Sequence, residues 1–173
     1  MDVAVEAIRT RRSVRKYEET AISDEQINQV LESARYAESW ANKQGWHILV
    51  VKSPEARAKV AAAIEGNPGA KAVGQAPVLL AVCMDPELSG NMNGKPYYMV
   101  DAGILMDHLM LAAADLGLGT VFIGAFDEDK VRPVLGVPEQ YRIVGLTPLG
   151  VPSKMPGERP RNELEDIVHW ETW

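Results

Sequence analysis

Helical periodicity is clearest in the segment that follows Ser23. Apolar residues recur there every third or fourth position, at Ile27, Val30, Leu31 and Ala34. Ser23 and Gln26 have the spacing of a capping box, and Ile22 stands where a hydrophobic staple to Ile27 would form. The pattern therefore predicts a helix that is capped by Ser23.

The longest helical pattern covers Tyr98–Leu116 and has apolar or small residues on more than one face. A helix that is apolar nearly all round must be buried on most of its sides. Small residues such as Ala102 and Gly103 would also permit a second copy of the helix to approach closely. The Ala-rich segment Pro54–Ile64 predicts a further helix, with its proline in the first turn, where it is tolerated.

Four apolar stretches have the length of strands, at residues 46–51, 77–84, 120–124 and 142–151. Pro148 lies in the last of them and has no N–H to donate, so we expect it to interrupt that strand. Residues 85–96 contain Pro, Gly, Asn and Ser, which predicts a flexible loop. Strands that alternate with helices in this way indicate an α+β or α/β fold with one mixed sheet.

The C-terminal segment Pro152–Trp173 contains three prolines and only a brief helical pattern, near residues 162–169. It ends in Trp170 and Trp173 but has few apolar neighbours to bury them. A buried tryptophan needs a surface to pack on. A tail that wraps around a neighbouring subunit would supply that surface.

Composition limits the possible functions. A chain of 173 residues with 46% hydrophobic content is expected to form one domain, residues 1–173. Its net charge of −6 disfavours nucleic acid as a partner. The lone Cys83 is interpreted as a structural thiol and cannot form an internal disulfide, which indicates a reducing compartment. No secretory signal or membrane-length apolar run is visible, so the prediction is a cytoplasmic protein without a membrane partner.

Candidate chemistry is concentrated in four short segments. Residues 9–16 contain five cationic residues and Ser13, and form either a solvated basic face or an anion site that binds phosphate. Residues 37–46 either turn the chain or offer amides, hydroxyls and two indoles to a flat heteroaromatic ligand. Residues 117–126 either end a helix or admit a ligand to the backbone at Gly124. The fourth segment is Arg159–Arg161 in the tail.

Other catalytic motifs are not visible in the sequence. The three histidines are far apart, and no Cys or acidic residue repeats at the spacing of metal ligands, so no metal is expected. The chain also lacks a P-loop, a nucleophile elbow and a Gly-x-Gly-x-x-Gly turn.

The order of the four segments resembles the FMN-dependent nitroreductase family. The shared pattern is Arg-Arg-Ser-x-Arg, then Ser-x-x-Asn-x-Gln-x-Trp, then Leu-Gly-Leu-Gly-Thr with Ile-Gly, then a Pro-Leu-Gly strand and an Arg-containing tail. The resemblance extends from about Ile8 to Trp173. It implies an α+β fold with a central mixed, mostly antiparallel sheet flanked by helices, and an extended C-terminal tail exchanged between subunits.

The resemblance also implies a cofactor site. In the family, a basic segment and tail cations hold the FMN phosphate, a loop of the other subunit packs over the flavin, and backbone approaches flavin N5. The matching residues here are Arg11, Arg12, Ser13 and Arg15 in the basic segment, Ser39, Trp40 and Asn42 in the loop, Gly124 and Ala125 near N5, and Arg159 and Arg161 in the tail. Arg15 matches the cation near flavin N1 and O2. No side chain is expected to be catalytic, because the flavin carries the chemistry.

The function implied is an oxidoreductase that passes electrons from NADH or NADPH, by a ping-pong mechanism, to a nitroaromatic, a quinone or a related electron-poor molecule. The expected active unit is a homodimer with FMN at the interface. Alternatives are a flavin-binding storage or sensor protein without fast turnover, and a family member that performs reductive dehalogenation or flavin breakdown. Glu38 stands where the family usually has Pro, and the chain is short around the substrate lid, so the acceptor is not implied.

Overall fold

The computed structural model of the chain describes residues 3–173. Its helices are α1 (Val3–Thr10), α2 (Asp24–Ala34), α3 (Pro54–Ala63), α4 (Ala70–Gln75), α5 (Tyr97–Asp115), α6 (Glu128–Leu135) and α7 (Leu164–Ile167). Its strands are β1 (Trp46–Val51), β2 (Val78–Met84), β3 (Asn91–Met92), β4 (Lys95–Pro96), β5 (Gly119–Thr120) and β6 (Arg142–Gly150). The sequence pattern did not predict α4 or the pair β3 and β4.

Four strands form one sheet in the order β1-β2-β6-β5, and each neighbouring pair is antiparallel. A parallel bridge joins Ser13 to Thr120 at the end of β5. The predicted α+β fold, with a mixed, mostly antiparallel sheet flanked by helices, is therefore confirmed. All seven residues of β2 are buried, as expected for a continuous apolar strand that is covered on both faces.

Alternate residues of β2 face two different cores. Leu80 and Val82 pack with residues of α2 and α5 on one face of the sheet. Leu79 and Ala81 pack with residues of α3, α4 and α6 on the other face. Cys83 belongs to the second core, and burial raises the pKa of its thiol to about 11. The cysteine is thus the buried structural thiol that its apolar surroundings predict.

The start of α2 follows the sequence pattern closely. The Ser23 hydroxyl accepts a hydrogen bond from the Gln26 backbone N–H, and the Gln26 side-chain oxygen accepts one from the Ser23 N–H, both at 3.1 Å. Ile22 and Ile27 are both buried in the core beside α5. The predicted capping box is confirmed, and the two residues of the predicted staple share one core.

Pro148 does not interrupt β6, so that prediction is wrong. The strand is continuous from Arg142 to Gly150 and pairs Pro148 with Leu79 of β2. Leu146 exchanges both backbone hydrogen bonds with Ile123, on the side of β6 that faces β5. Backbone groups two residues apart on a strand point the same way. The Pro148 nitrogen therefore points away from β2, and the pairing with β2 needs no donor from it.

The segment 85–96 is more regular than the predicted flexible loop. One 3-10 turn, Pro86–Leu88, is followed by the hairpin of β3 and β4. Asn93 and Gly94 form its turn with φ of 54° and 74°, which is the conformation that an Asn-Gly pair favours. The strand predicted over 120–124 is also different, because only the two residues of β5 and a bridge at Ile123 are paired.

The helix α5 buries one face rather than most of its surface. Its buried residues are Asp101, Ala102, Leu105, Met106, Leu109, Met110 and Ala113. Val100 and Gly103 are exposed. Trp170 and Trp173 of the tail are 84% and 101% exposed. The two features that were predicted to need a partner are thus uncovered in a single chain, and exchange of the tail between subunits stays a prediction.

Candidate functional site

A cavity of about 360 Å³ lies between the segment after α1 and the C-terminal tail. It is lined by Arg11, Arg12, Ser13, Arg15, Lys16, Lys154, Pro156, Gly157, Arg159 and Arg161. Seven of these ten residues are cationic, so positive charge is concentrated here on a chain of net charge −6. Such a set of donors favours an anion with several acceptor oxygens.

The basic segment of the cavity is attached to β5. Val14 donates its backbone N–H to the Thr120 carbonyl oxygen at 2.8 Å. Its side chain is 1% exposed, and a Cβ on Gly119 would lie 2.8 Å from the Val14 Cβ. Glycine at 119 therefore leaves the space that Val14 occupies. Because the extended chain turns Val14 inward, the neighbouring Ser13 and Arg15 face outward and line the cavity.

The tail is joined to the same segment by backbone pairing. Glu18 donates its N–H to the Val151 carbonyl oxygen at 2.9 Å, and Ser153 donates to Lys16 at 3.1 Å. Tyr17 lies between them, and its buried hydroxyl donates to a carbonyl oxygen of the basic segment at 2.9 Å. Burial also raises the pKa of Tyr17 above its usual range, which favours the protonated hydroxyl that donates this hydrogen bond. These contacts bring the tail cations to the cavity.

Backbone carbonyl oxygens orient several of the guanidinium groups. Arg12 donates to the carbonyl oxygens of Arg9 at 2.7 Å and Arg11 at 3.0 Å. Arg161 donates to a tail carbonyl oxygen at 3.1 Å. Arg12 also lies 3.9 Å from the exposed carboxylate of Glu158. A pair of this length with an exposed partner is weak, so the positive charge stays available to a ligand.

The predicted loop residues Ser39, Trp40 and Asn42 lie at the other end of α5. Trp40–Asn42 form a 3-10 turn before β1. The Trp40 N–H donates to the Asp101 carboxylate at 3.0 Å, and the Trp40 ring lies 4.6 Å from the ring of Tyr97 at the start of α5. The cavity adjoins β5, which follows the end of that helix. A helix of 19 residues is about 28 Å long, so one chain does not bring the loop and the cavity together.

Gly124 and Ala125 are exposed and do not line the cationic cavity. A Cβ on Gly124 would lie 2.7 Å from the ring of Phe122, so packing within the chain already accounts for glycine there. The Asn67 side chain donates to the Ala125 carbonyl oxygen at 2.6 Å and accepts from the Gly69 N–H at 2.7 Å. One asparagine thus holds the backbone of this segment.

The structure gathers six of the eleven predicted site residues in one cavity: Arg11, Arg12, Ser13, Arg15, Arg159 and Arg161. It adds Lys16 and Lys154 to the lining, and Asp101 to the support of the separate loop. Lys16 belongs to the basic cluster in the sequence, but Lys154 carries no local signal. Asp101 is one of three Asp residues on the mostly apolar α5, so the sequence did not single it out.

Residues 3–173 hold no group of three or more His, Cys, Asp or Glu side chains that could bind a metal ion. Among the helices of that range, none has both the length and the apolar character to span a bilayer.

The layered fold is that of an α+β protein, and its cationic cavity, which suits an anion, joins two segments that are distant in sequence. Comparison with known proteins makes this assignment specific. The model of the nitroreductase family matches residues 8–68 and 64–151. The chain belongs to the nitroreductase family.

Individual proteins agree with this membership. A relative from Methanothermobacter thermautotrophicus is 36% identical over 177 residues, which cover 100% of this chain and 88% of the relative. The crystal structure of a nitroreductase family protein from Clostridium novyi NT is 38% identical, with a TM-score of 0.84 over 92% of this chain and 89% of its own. The structure of the NADPH:FMN oxidoreductase from Vibrio harveyi complexed with NAD+ is 27% identical, with a TM-score of 0.89 over 99% of this chain and 78% of its own.

Proposed function

We propose that this chain is a homodimeric, FMN-dependent oxidoreductase. It takes electrons from NADH or NADPH by a ping-pong mechanism and passes them to a nitroaromatic, a quinone or a related electron-poor small molecule. The proposal treats residues 1–173 as one FMN-binding domain and places the protein in the cytoplasm. The observation that carries it is the cavity in which the basic segment meets the tail cations.

The donors of the cavity fit the phosphate group of FMN. Arg11, Arg12 and Ser13 offer donors from one segment, and Arg159 and Arg161 offer them from the tail. Each charge-assisted hydrogen bond to phosphate contributes about 1.5–3 kcal/mol. When bound, FMN supplies the two-electron chemistry, so the protein needs no acid–base pair of its own. The Vibrio harveyi protein, whose name includes both NADPH and FMN, supports this choice of cofactor and donor.

Arg15 is proposed to act on the redox equilibrium as well as on binding. Its side chain lines the cavity beside Ser13 and donates to the Ser13 carbonyl oxygen at 3.3 Å. A guanidinium group fixed at the pyrimidine edge of a flavin stabilises negative charge there. Arg15 would therefore favour the reduced cofactor, while the backbone of Gly124 and Ala125 is proposed to face the reactive N5 edge.

The loop residues Ser39, Trp40 and Asn42 are proposed to reach the flavin from a second copy of the chain. Within one chain, a helix of about 28 Å separates them from the cavity. A symmetric dimer with antiparallel α5 helices would bring the loop of one copy to the cavity of the other. Each copy would then contribute half of two equivalent sites.

The surfaces for such a dimer are exposed in the single chain. Val100 is 49% exposed, and a Cβ on the neighbouring Gly103 would meet nothing within 4 Å. The tail adds Leu164, Ile167 and Trp170, which are also exposed. An obligate interface of this kind buries about 2,000 Å² or more. We include the exchange of the tail between subunits in the proposal, because it would cover these side chains.

The proposal is tested by the absorbance spectrum of the purified protein. A flavin spectrum, its bleaching by NADH or NADPH without oxygen, and its return on addition of a nitro compound or a quinone are expected. Bound flavin that neither nicotinamide bleaches would favour a storage or sensor protein. A colourless protein that takes up no added FMN would overturn the proposal. Light scattering across a dilution series should give twice the chain mass of 19.0 kDa, and an active monomer would overturn the shared site.

A further inference from the structure

Asp101 is a carboxyl group on the buried face of α5 and is only 3% exposed. One oxygen accepts the Trp40 backbone N–H at 3.0 Å, and the other accepts the Ser89 hydroxyl at 2.9 Å. A buried carboxyl group is costly unless its oxygens are hydrogen-bonded. The two hydrogen bonds therefore stabilise Asp101 and, in return, attach two separate loops to one helix.

Trp40 is also enclosed by the second of these loops. A Cβ on Gly90 would lie 2.4 Å from the Trp40 indole, so the ring rests directly on the glycine backbone. The Gly90 carbonyl oxygen accepts the Tyr97 N–H at 2.8 Å, and the rings of Tyr97 and Trp40 are 4.6 Å apart. The turn at Gly90 leads directly into the β3–β4 hairpin. The indole thus joins the hairpin to the loop before β1.

The loop before β1 has a backbone that needs support. Ala41, Asn42 and Gln44 have φ of 47°, 55° and 51°, in the left-handed region that non-glycine residues rarely adopt. Such a conformation persists only where the surroundings fix it. Ser39 accepts the Gln44 N–H at 2.9 Å at one side of the turn, and Asp101 accepts the Trp40 N–H at the other.

We propose that Asp101 is a positioning residue that fixes the Ser39–Asn42 loop and the turn at Gly90 as one unit. Through this unit it sets how the loop is presented to the flavin of the second copy. The inference rests on the proposed function, because Ser39, Trp40 and Asn42 act on the flavin only in the shared site. Asp101 itself touches no reacting atom, since its two oxygens are engaged by Trp40 and Ser89.

Three substitutions and one control test the proposal. D101A removes both hydrogen bonds, and S89A removes only the link to the turn. D101N keeps an oxygen for the Trp40 N–H and gives an amide that can donate to the Ser89 hydroxyl. S53A is the control, because it removes the N-cap of the distant α3, where the Ser53 hydroxyl accepts the Ala56 N–H, and so lowers stability without touching the loop.

Two measurements are made on each variant. The first is acrylamide quenching of Trp40 fluorescence in the flavin-free protein, taken as the difference between each variant and its W40F counterpart. The second is the dissociation constant of added FMN. D101A is expected to raise the quenching constant about 2-fold and the FMN dissociation constant about 10-fold. D101N should restore both to within about 2-fold, S89A should fall between, and S53A should match the unsubstituted protein.

Unchanged Trp40 quenching in D101A and S89A would overturn the proposal, and so would unchanged FMN binding in both. Failure of D101N to restore binding, in a protein that folds, would also overturn it. If D101A does not fold, S89A alone decides, because it should still raise both constants. An unsubstituted protein that binds no FMN would overturn the proposed function instead, and Trp40 quenching would still decide whether Asp101 holds the loop.

Discussion

The two ends of α5 support candidate site residues by opposite means. In space, the cationic segment 11–16 lies near the C-terminal end of α5, where it is held by backbone pairing with β5 and by the buried side chain of Val14. At its N-terminal end, an uncharged aromatic loop is held by the Asp101 carboxyl group and by packing against Gly90. Near the C-terminal end of α5, backbone hydrogen bonds hold a segment with several cationic residues. Near its N-terminal end, the Asp101 side chain holds the loop that carries the Trp40 ring.

In the proposed dimer, this difference would let a chain of 173 residues divide a large site between two copies. In the proposed site, the cationic end would provide strength of binding, because several charged donors line one cavity. The aromatic end would position the Ser39–Asn42 loop, because that loop depends on its contacts with Asp101 and Gly90. The two ends should therefore respond differently to substitution.

The largest effect is expected from removal of residues 152–173. This truncation deletes Lys154, Arg159 and Arg161 from the cavity, together with the exposed tryptophans of the tail. FMN binding should weaken by at least about 1,000-fold, since several charged donors are lost at once, and light scattering should show monomer or aggregate. A truncation after Arg161 keeps these cations and should impair dimer formation more than FMN binding. Retention of flavin by the chain that lacks residues 152–173 would contradict the prediction.

Arg161→Ala should weaken FMN binding by about 10- to 100-fold, which corresponds to the loss of one charge-assisted contact of about 1.5–3 kcal/mol. The dissociation constant is measured by titrating flavin fluorescence in the flavin-free protein. Arg35→Ala is the matched control, because Arg35 does not line the cationic cavity and pairs with Glu32 on the exposed surface. Equal binding by both variants would show that Arg161 does not hold the cofactor.

A methyl group on Gly119 or on Gly90, one near each end of α5, should destabilise the chain by steric overlap. Gly119→Ala forces a contact with the rigid side chain of Val14, and Gly90→Ala forces one with the Trp40 ring. Each should lower the free energy of unfolding by about 1–3 kcal/mol. Gly74→Ala is the control, since its Cβ would lie 3.8 Å from Ala61 and it sits in a helix. Denaturant unfolding measures the free energy of unfolding of the three variants. Equal values for all three would contradict the close packing of Gly119 on Val14 and of Gly90 on Trp40.

Arg15→Gln should lower the two-electron potential of the bound flavin by about 20–60 mV, equivalent to about 1–3 kcal/mol. The reason is that less positive charge would face the pyrimidine edge of the reduced cofactor. Equilibration with a dye of known potential measures the change. Arg15→Lys keeps the charge and should shift the potential less. The same potential in the unsubstituted protein and in both variants would show that Arg15 does not lie at the pyrimidine edge of the flavin.

Local signals in the sequence predicted local structure well. The capping box at Ser23 and the buried run of β2 depend on residues close in sequence, and both are confirmed. The predicted interruption at Pro148 was wrong because the effect of a proline depends on which neighbouring strand its nitrogen faces. No local sequence pattern shows that direction. The β3–β4 hairpin carried the Asn93–Gly94 signal of a tight turn, but its strands have only two residues each.

The candidate site was predictable only as separate parts. The basic segment and Arg161 are about 150 residues apart in sequence, and their meeting depends on the pairing of Ser153 with Lys16. Sequence alone gave no sign that Lys154 would join them. The resemblance to the nitroreductase family assigned the parts to one cofactor site, while the fold showed which of them one chain brings together.

The uneven distribution of charge also governs how a ligand arrives. Seven of the 18 Lys and Arg residues line one cavity, which leaves 11 to oppose 24 Asp and Glu residues on the rest of the chain. A phosphate-bearing molecule is therefore repelled by most of the surface and attracted at one opening. Such a field accelerates encounter and is screened over about 10 Å at 0.1 M salt. Added salt should consequently slow the capture of FMN far more than it speeds its release.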